Sequence, residues 1–148
     1  MDMHFKNPPG LINGQKLAYY EERFSVLHDS SFPGFRLYVG RYLFGESERA
    51  AHLRLCEDED KVISFELVQI LAGDTLEGVS LTIPVEEFVK EMEAKGVPSS
   101  IFPEEVILYD HFMRLGVNEG QIETIGWWDR DFWDQASFIE DTFPSGDA

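Results

Sequence analysis

Arg49 to Leu71 read RAAHLRLCEDEDKVISFELVQIL, and this stretch decides the class of fold. Apolar residues alternate from Ala51 to Leu55, with His52 and Arg54 on the opposite face, which is the period of a half-buried strand. Four consecutive acids separate this run from a second apolar run, Val62 to Leu71. Because like charges repel one another and favour water, the acids are expected to form a solvated turn, and the stretch predicts a β-hairpin.

Upstream of the hairpin, the sequence predicts one strand and an irregular N-terminal arm. Residues 35–44 alternate and are rich in aromatic and β-branched side chains, so they predict a strand that follows a turn at residues 30–34. Residues 17–28 fit either a short helix that runs into a strand or one irregular strand. Residues 1–16 contain two turn-forming motifs, including Asn-Pro-Pro-Gly at 7–10, and predict an arm without regular structure.

Downstream of the hairpin, helical signals become frequent. Proline begins two segments that contain paired glutamates, at Pro84 and at Pro103, and this order suits the first turn of a helix. Glycine follows each segment, at Gly96 and at Gly116, as it often does after a helix. The predicted elements are, in order, a strand at 79–83, a helix at 84–95, a helix at 103–115, a strand at 121–126, a helix at 131–143 and a frayed tail at 144–148.

Strands early in the chain and helices late in the chain predict the α+β class. We expect a single antiparallel sheet of about four to five strands, with two to three helices packed on one face. At 148 residues, of which 43% are hydrophobic, the chain is long enough to bury one core. Residues 1–148 are therefore expected to form a single domain.

The acidic charge comes almost entirely from the later part of the chain. Residues 1–56 contain 7 Lys and Arg against 6 Asp and Glu, whereas residues 57–148 contain 5 against 22, and the formal net charge is −16. We expect this charge to concentrate on one side of the fold. Because it repels phosphate backbones and anionic lipid, we expect neither direct nucleic-acid binding nor membrane binding.

Other sequence signals favour a cytoplasmic protein. The first nine residues include Asp2 and contain no apolar run of the length found in a secretory signal. No stretch approaches the roughly eighteen apolar residues that a bilayer-spanning helix needs. Cys56 is the single cysteine, so no internal disulfide can form, as is usual in a reducing compartment.

The densest cluster of functional residue types is WWDRDFWD at residues 127–134. Neighbouring residues of a strand point to opposite faces, so at least one of its two adjacent indole rings is expected to be partly exposed. An exposed indole beside carboxylates is typical of a protein-binding hot spot, in which the acids receive Arg or Lys. The candidate partner-binding residues in this segment are Trp127, Trp128, Asp129, Asp131, Trp133 and Asp134.

Two other interpretations of this segment remain open. Its aromatic residues could instead fix a loop and a helix to the sheet while the acids face water, or its indoles and a carboxylate pair could serve glycoside hydrolysis. Its aspartates are weak candidates for a metal site, because the glycine and closing glutamate of a calcium loop are missing. We predict no catalytic residue, metal ligand or cofactor, since the four histidines lack zinc-site spacing and no phosphate-binding glycine loop occurs.

In size, charge and aromatic content, the chain resembles the acidic immunity proteins that neutralise bacterial toxins, and more loosely the phage-encoded proteins that imitate DNA. This resemblance implies an inhibitor of a basic partner, such as a toxin or nuclease, and assigns no role to an individual residue. The expected secondary patch, which would steer such a partner by its charge, consists of Glu57, Asp58, Glu59 and Asp60. The alternative is a small-molecule-binding domain or minor enzyme, with a pocket between the sheet and the late helices lined by Tyr38, Tyr42, Trp127 and Trp133.

Overall fold

The structure is a computed structural model that describes residues 1–30 and 36–144. Its strands are, in chain order, β1 (Asp2–Met3), β2 (Phe24–Asp29), β3 (Arg36–Phe44), β4 (Ser47–Leu55), β5 (Val62–Leu67), β6 (Thr75–Leu76), β7 (Val79–Ser80), β8 (Ser100–Phe102), β9 (Glu105–Leu108), β10 (Met113–Asn118) and β11 (Gln121–Trp128). Its helices are α1 (Leu17–Glu21), α2 (Val85–Ala94) and α3 (Gln135–Thr142), and a 3₁₀ turn spans Tyr109–His111.

Eight of the strands form one antiparallel sheet, in the order β2-β3-β4-β5-β11-β10-β9-β8. Two four-stranded meanders make up this sheet, and they join where β5 pairs with β11 in a register that places Phe65 opposite Trp127. The remaining strands form a small sheet in the order β1-β6-β7. The expected α+β fold with a single sheet of four to five strands is therefore wrong, because the protein is mostly β with three short helices.

The main core lies on the inner face of the large sheet, which we define as the face toward the small sheet. Leu53 of β4 and Phe65 of β5 are fully buried there. The N-terminal arm, the small sheet, α1 and α2 cover this face, and α2 contributes Phe88 and Met92 to the same core. The arm was expected to be irregular, but its second and third residues form β1.

The opposite face of the large sheet, its outer face, is partly covered by α3. Phe138 of α3 is fully buried and packs with Ile107 and Trp128, and its ring meets that of Trp128 edge to face at a centroid distance of 5.7 Å. The expectation that the helices pack on one face is therefore wrong. One consequence is that the C-terminal half of β11, Ile125 to Trp128, is buried on both of its faces.

The helix expected at residues 103–115 is wrong, because this segment contains β9, the 3₁₀ turn and the first half of β10. Pro103 and Glu104 form the turn between β8 and β9 and do not begin a helix. All four residues of β9 are buried. Its apolar run therefore shows no alternation by which a strand could be distinguished from a helix. In β10, buried Met113 and Leu115 flank a partly exposed Arg114, which is a strand period.

Most other elements agree with the sequence pattern. β4 and β5 confirm the hairpin, α2 confirms the helix at 84–95, and α3 lies within the predicted helix at 131–143. The predicted strand at 121–126 continues to Trp128 as β11. Of the two alternatives for residues 17–28, the helix that leads into a strand is observed.

Four predicted segments are shorter in the structure or lie at least partly outside the described residues. The strand expected at 79–83 is reduced to β7, and the strand expected at 35–44 is confirmed over Arg36–Phe44. The turn at 30–34 and the tail at 144–148 lie almost entirely outside the described residues. Within residues 1–30 and 36–144, no helix has the length and apolar character needed to cross a membrane.

A buried ion pair connects the two sheets. Arg49 of β4 is 4% exposed and Asp74, directly before β6, is fully buried, and Arg49 Nη2 donates to Asp74 Oδ1 at 2.9 Å. Burial acts to raise the pKa of Asp74, but the hydrogen bonds from Arg49 and from the Leu71 backbone lower it below its usual value. The contact links β4 to the start of β6, and removing either member would leave an uncompensated buried charge.

Candidate partner-binding site

The two adjacent tryptophans of β11 are buried. Trp127 points to the inner face and is 1% exposed, and its Nε1–H donates to the carbonyl of His4 at 2.8 Å. Trp128 points to the outer face and is 7% exposed, and its Nε1–H donates to Asp141 Oδ2 at 3.0 Å. The rings do point to opposite faces, but the expectation that one of them is exposed is wrong, because the arm covers one face and α3 covers the other.

Asp129 is buried as well, and it holds neighbouring segments together. It is 3% exposed, its Oδ2 lies 2.8 Å from Lys61 Nζ, and its Oδ1 accepts the backbone N–H of Asp131 at 3.2 Å. A Cβ at Gly14 would lie 2.5 Å from Asp129 Oδ1, so the arm passes close to this carboxylate. The hydrogen bond to Asp129 raises the pKa of Lys61. Asp129 therefore pairs within the chain and presents no free charge to a partner.

Asp134 is exposed, and its side chain forms the N-cap of α3. Its Oδ1 accepts the backbone N–H of Ser137 at 2.7 Å, and Ser137 Oγ accepts the backbone N–H of Asp134 at 3.1 Å. These two contacts form a capping box. The hydrogen bonds from Ser137 lower the pKa of Asp134, so this carboxylate stabilises the helix.

Phe132 and Trp133 form one wall of a cleft of about 510 Å³. Phe132 is 44% exposed, and its ring meets that of Trp133 edge to face at a centroid distance of 5.1 Å. Trp133 is half-buried, its Nε1–H donates to the carbonyl of Ile63 at 3.1 Å, and the guanidinium carbon of Arg54 lies 5.0 Å from its ring centroid. Phe132 is therefore the aromatic side chain of this segment that a partner can reach most fully.

The acidic turn between β4 and β5 also lines this cleft. Glu57 and Asp58 line the cleft together with Phe132 and Trp133, and both acids are exposed. The structure thus brings together one part of each patch that the sequence indicated. We refer to the site bounded by these four residues as the acidic cleft.

The rest of the acidic turn lies beside the acidic cleft and does not line it. Glu59 and Asp60 are exposed, and Asp60 Oδ1 accepts a hydrogen bond from Arg36 Nη2 at 2.8 Å. Arg36 Nη1 also donates to the backbone carbonyl of Glu59 at 3.2 Å. Arg36 therefore offsets part of the negative charge at this end of the turn.

The late carboxylates do not gather on one side of the molecule, contrary to expectation. The acids of α2 are exposed on a helix that covers the inner face. The acidic cleft instead lies beside α3, which packs on the outer face. The negative charge of the later chain is therefore divided between at least two regions, and the cleft contains only a local group of it.

A second concave site, the sheet cavity, lies on the outer face between the large sheet and α3. Its volume is about 360 Å³. Strands from both meanders form its floor, and Asp141 and Thr142 of α3 form a wall. The charged and titratable residues of its floor are His52, Arg54, Glu66, Glu105 and Arg114.

The sheet cavity has the expected position of a small-molecule pocket, but its lining differs from the expected residues. Tyr42 and Trp127 are buried in the inner-face core, and Tyr38 packs against that core. Trp133 lines the acidic cleft. Trp128 is the indole that borders the cavity.

Sequence reasoning missed the charged residues of the sheet cavity. The alternation of side chains along β4, β5 and β10 puts Arg54, Glu66 and Arg114 on one face of the sheet. The sequence indicates this shared face only once these segments are known to be strands of the same sheet. The sequence did not indicate Glu105, because the Pro-Glu-Glu motif at 103–105 predicted a helix there and not a strand. Phe132 was missed as well, although it lies between the acids and indoles of residues 127–134.

Within residues 1–30 and 36–144, no group of three or more His, Cys, Asp or Glu side chains is arranged to hold a metal ion. Comparison of the chain with protein-family models, with curated proteins and with solved structures found no match. The function of this protein is therefore inferred from the geometry and charge of its own residues.

Proposed function

We propose that this chain is a small acidic cytoplasmic inhibitor that binds a basic protein partner through the acidic cleft and blocks it, as immunity proteins do. A toxin or nuclease is the kind of partner that this chemistry fits. Such a protein is basic where it holds phosphate groups, so an acidic surface can occupy that region in place of its substrate.

The juxtaposition of Glu57 and Asp58 with the exposed ring of Phe132 is the observation that supports this proposal. An aromatic anchor beside carboxylates is the composition of an interface hot spot that receives Lys or Arg. Truncation of such an anchor commonly costs roughly 2 kcal/mol or more, so one ring can supply much of the affinity.

The ion pairs around the acidic cleft favour the same conclusion. Arg54 also lines the cleft, but it already faces a carboxylate of the chain, because its Nη2 is 2.8 Å from Asp141 Oδ2. Lys61, which directly follows the acidic turn, is paired in the same way, with its Nζ 2.8 Å from Asp129 Oδ2. Among the described residues, no ion pair includes Glu57 or Asp58. The charge at the mouth of the cleft is therefore available to attract a cationic partner.

The test compares two variants of equal net charge. Glu57→Lys with Asp58→Lys reverses the acids of the cleft, whereas Glu91→Lys with Glu93→Lys reverses two exposed acids of α2, on the other side of the sheet. We expect affinity columns of the wild type and of the α2 variant to retain the same basic protein, and the cleft variant to lose it. Equal loss with both variants would show that net charge, and not the cleft, mediates binding.

A third variant separates the aromatic contribution from the electrostatic one. Phe132→Ala changes no charge. We expect it to lower the affinity for the retained partner by about thirtyfold or more, since a loss of roughly 2 kcal/mol of binding free energy corresponds to that factor. The purified partner should also lose its own activity when the wild type is added at equal concentration. Binding without loss of partner activity would contradict the inhibitor function.

A further inference from the structure

The large sheet ends in two edge strands of different character. At one end, β8 is three residues long, with Pro98 two residues before it and Pro103 directly after it. Short edge strands and adjacent prolines hinder pairing with another chain. At the other end, β2 is six residues long and contains no proline. Of the two edges, β2 is therefore the one that can accept a further strand.

The backbone of β2 is open on the side away from β3. The N–H of Ser30 donates to the carbonyl of Leu37 at 2.9 Å. Because backbone directions repeat at every second residue of an antiparallel pair, Val26 and His28 also direct their backbone groups toward β3, and Leu27 directs its N–H and C=O to the open edge. Among the described residues, β3 is the only strand that pairs with β2.

Apolar side chains lie beside this open edge on both faces of the sheet. Val26 is 43% exposed and Leu43 is 42% exposed. Val26 is paired with Arg41, two residues before Leu43, so both apolar side chains lie on the outer face. Leu27 is half-buried and packs against the inner-face core. A strand added at this edge would therefore cover apolar surface as well as pair with the backbone.

The charge of this region favours a second copy of the chain as the added partner. Residues 17–56, which include α1 and β2 to β4, contain five Arg against five Asp and Glu, whereas the whole chain has a formal net charge of −16. Two copies repel one another over their acidic surfaces, and this repulsion is weakest where the local charge is balanced. The same balance gives a basic partner no electrostatic attraction to this edge.

We propose that β2 pairs in antiparallel orientation with β2 of a second copy and joins the two large sheets in a two-fold symmetric dimer. The pairing is centred on Leu27, whose N–H and C=O bond to those of Leu27 of the second copy. On the outer face, Val26 then lies opposite His28 of the second copy. This register brings apolar side chains together on the axis and places no two like charges opposite one another.

The oligomeric state in solution tests the dimer without any basic partner. One pair of short strands gives a small interface, so light scattering after gel filtration should show a mass of twice 17.0 kDa only at high micromolar concentration. Added salt should strengthen the dimer, because it screens the repulsion between two acidic chains. Salt weakens docking at the acidic cleft, so the two associations are distinguishable. A wild type that stays monomeric at millimolar concentration in high salt would overturn the proposal.

A charge pair on the two-fold axis tests the register. Leu27→Lys and Leu27→Glu each place two like charges opposite one another, so each variant alone should self-associate roughly tenfold or more weakly than the wild type. An equimolar mixture of the two should regain the dimer, because opposite charges then meet on the axis. Leu27 is half-buried, and a long charged side chain can extend from this position to water. Two folded variants whose mixture stays monomeric would contradict the proposed pairing.

The other edge of the sheet provides the matched control. Ile101 of β8 is 58% exposed, and Ile101→Lys should dimerise like the wild type. If circular dichroism shows that the Leu27 variants do not fold, Val26→Lys replaces them, because Val26 is exposed and a lysine on an edge strand discourages pairing. A dimer that Ile101→Lys abolishes, or that Val26→Lys leaves unchanged, would show that β2 is not the interface.

Discussion

Asp129 and Asp131 are two residues apart and look equivalent in the sequence, but the structure predicts opposite effects of replacing them. Asp129 is buried against Lys61 and accepts a backbone hydrogen bond, whereas Asp131 is exposed. Asp129→Asn and Asp131→Asn each remove one charge with almost no change in shape. We expect the first to destabilise the fold and the second to leave its stability nearly unchanged.

The magnitude follows from the contacts of Asp129. Removing one partner of a fully buried ion pair costs roughly 3–5 kcal/mol. The Lys61 side chain, however, is 26% exposed, so its ammonium keeps some water when the carboxylate is lost, and asparagine can still accept a hydrogen bond. We therefore expect Asp129→Asn to lower the free energy of unfolding by about 1–2 kcal/mol, which corresponds to a fall in Tm of roughly 2–8 °C. Asp131→Asn should stay within about 0.5 kcal/mol of the wild type.

Urea unfolding followed by tryptophan fluorescence measures the free energy of unfolding of both variants, and its dependence on pH provides an internal check. The pKa of Lys61 is raised in the folded state. The stabilisation that the Lys61–Asp129 pair gives to the fold is therefore fully present below the unfolded pKa of lysine, about 10.4, and is lost as pH rises through the folded value. The difference between the wild type and Asp129→Asn should therefore be constant near neutral pH and shrink in strong alkali. A stable Asp129→Asn variant that instead loses its partner would refute the structural role of Asp129.

Two further substitutions concern α3. Asp134→Ala removes the N-cap of α3 and should lower Tm at neutral pH. The folded state lowers the pKa of Asp134, so the stabilisation by its carboxylate is present above the unfolded pKa of about 3.9 and disappears as pH falls through the folded value. The Tm values of the wild type and of Asp134→Ala should therefore converge in acid. Phe138→Ala empties a fully buried site against Trp128, so it should lower the free energy of unfolding by about 3–5 kcal/mol and shift the tryptophan emission to the red. An unchanged unfolding midpoint would show that α3 does not cover the outer face.

Local periodicity was sufficient to predict the elements whose burial alternates. The hairpin of β4 and β5 is visible because apolar and polar residues alternate over Ala51 to Leu55, and α2 is visible because Pro84 and two early glutamates suit its first turn. β9 is buried on both faces and has no alternation to read. Its Pro-Glu-Glu signal belongs to a hairpin turn, which local pattern cannot separate from a helix start.

The size of the sheet and the state of the candidate residues depend on contacts between distant parts of the chain. The pairing of β5 with β11 brings Phe65 beside Trp127, and no local pattern indicates it. Whether Trp128 is exposed depends on α3, which follows it in sequence and folds back over it. The sequence therefore indicated residues 127–134 as a candidate segment but could not determine which of its side chains the surrounding elements would bury.

The rate of association with the retained basic partner tests the central claim most directly. Stopped-flow measurements at low and high ionic strength should show a fast wild-type rate that falls steeply with salt, because electrostatic steering raises association to about 10⁸–10⁹ M⁻¹s⁻¹ and is screened by ions. Reversal of Glu57 and Asp58 should remove most of this salt dependence, and reversal of Glu91 and Glu93 should leave most of it. A wild-type rate that does not change with ionic strength, or one that both reversals reduce equally, would contradict docking at the acidic cleft.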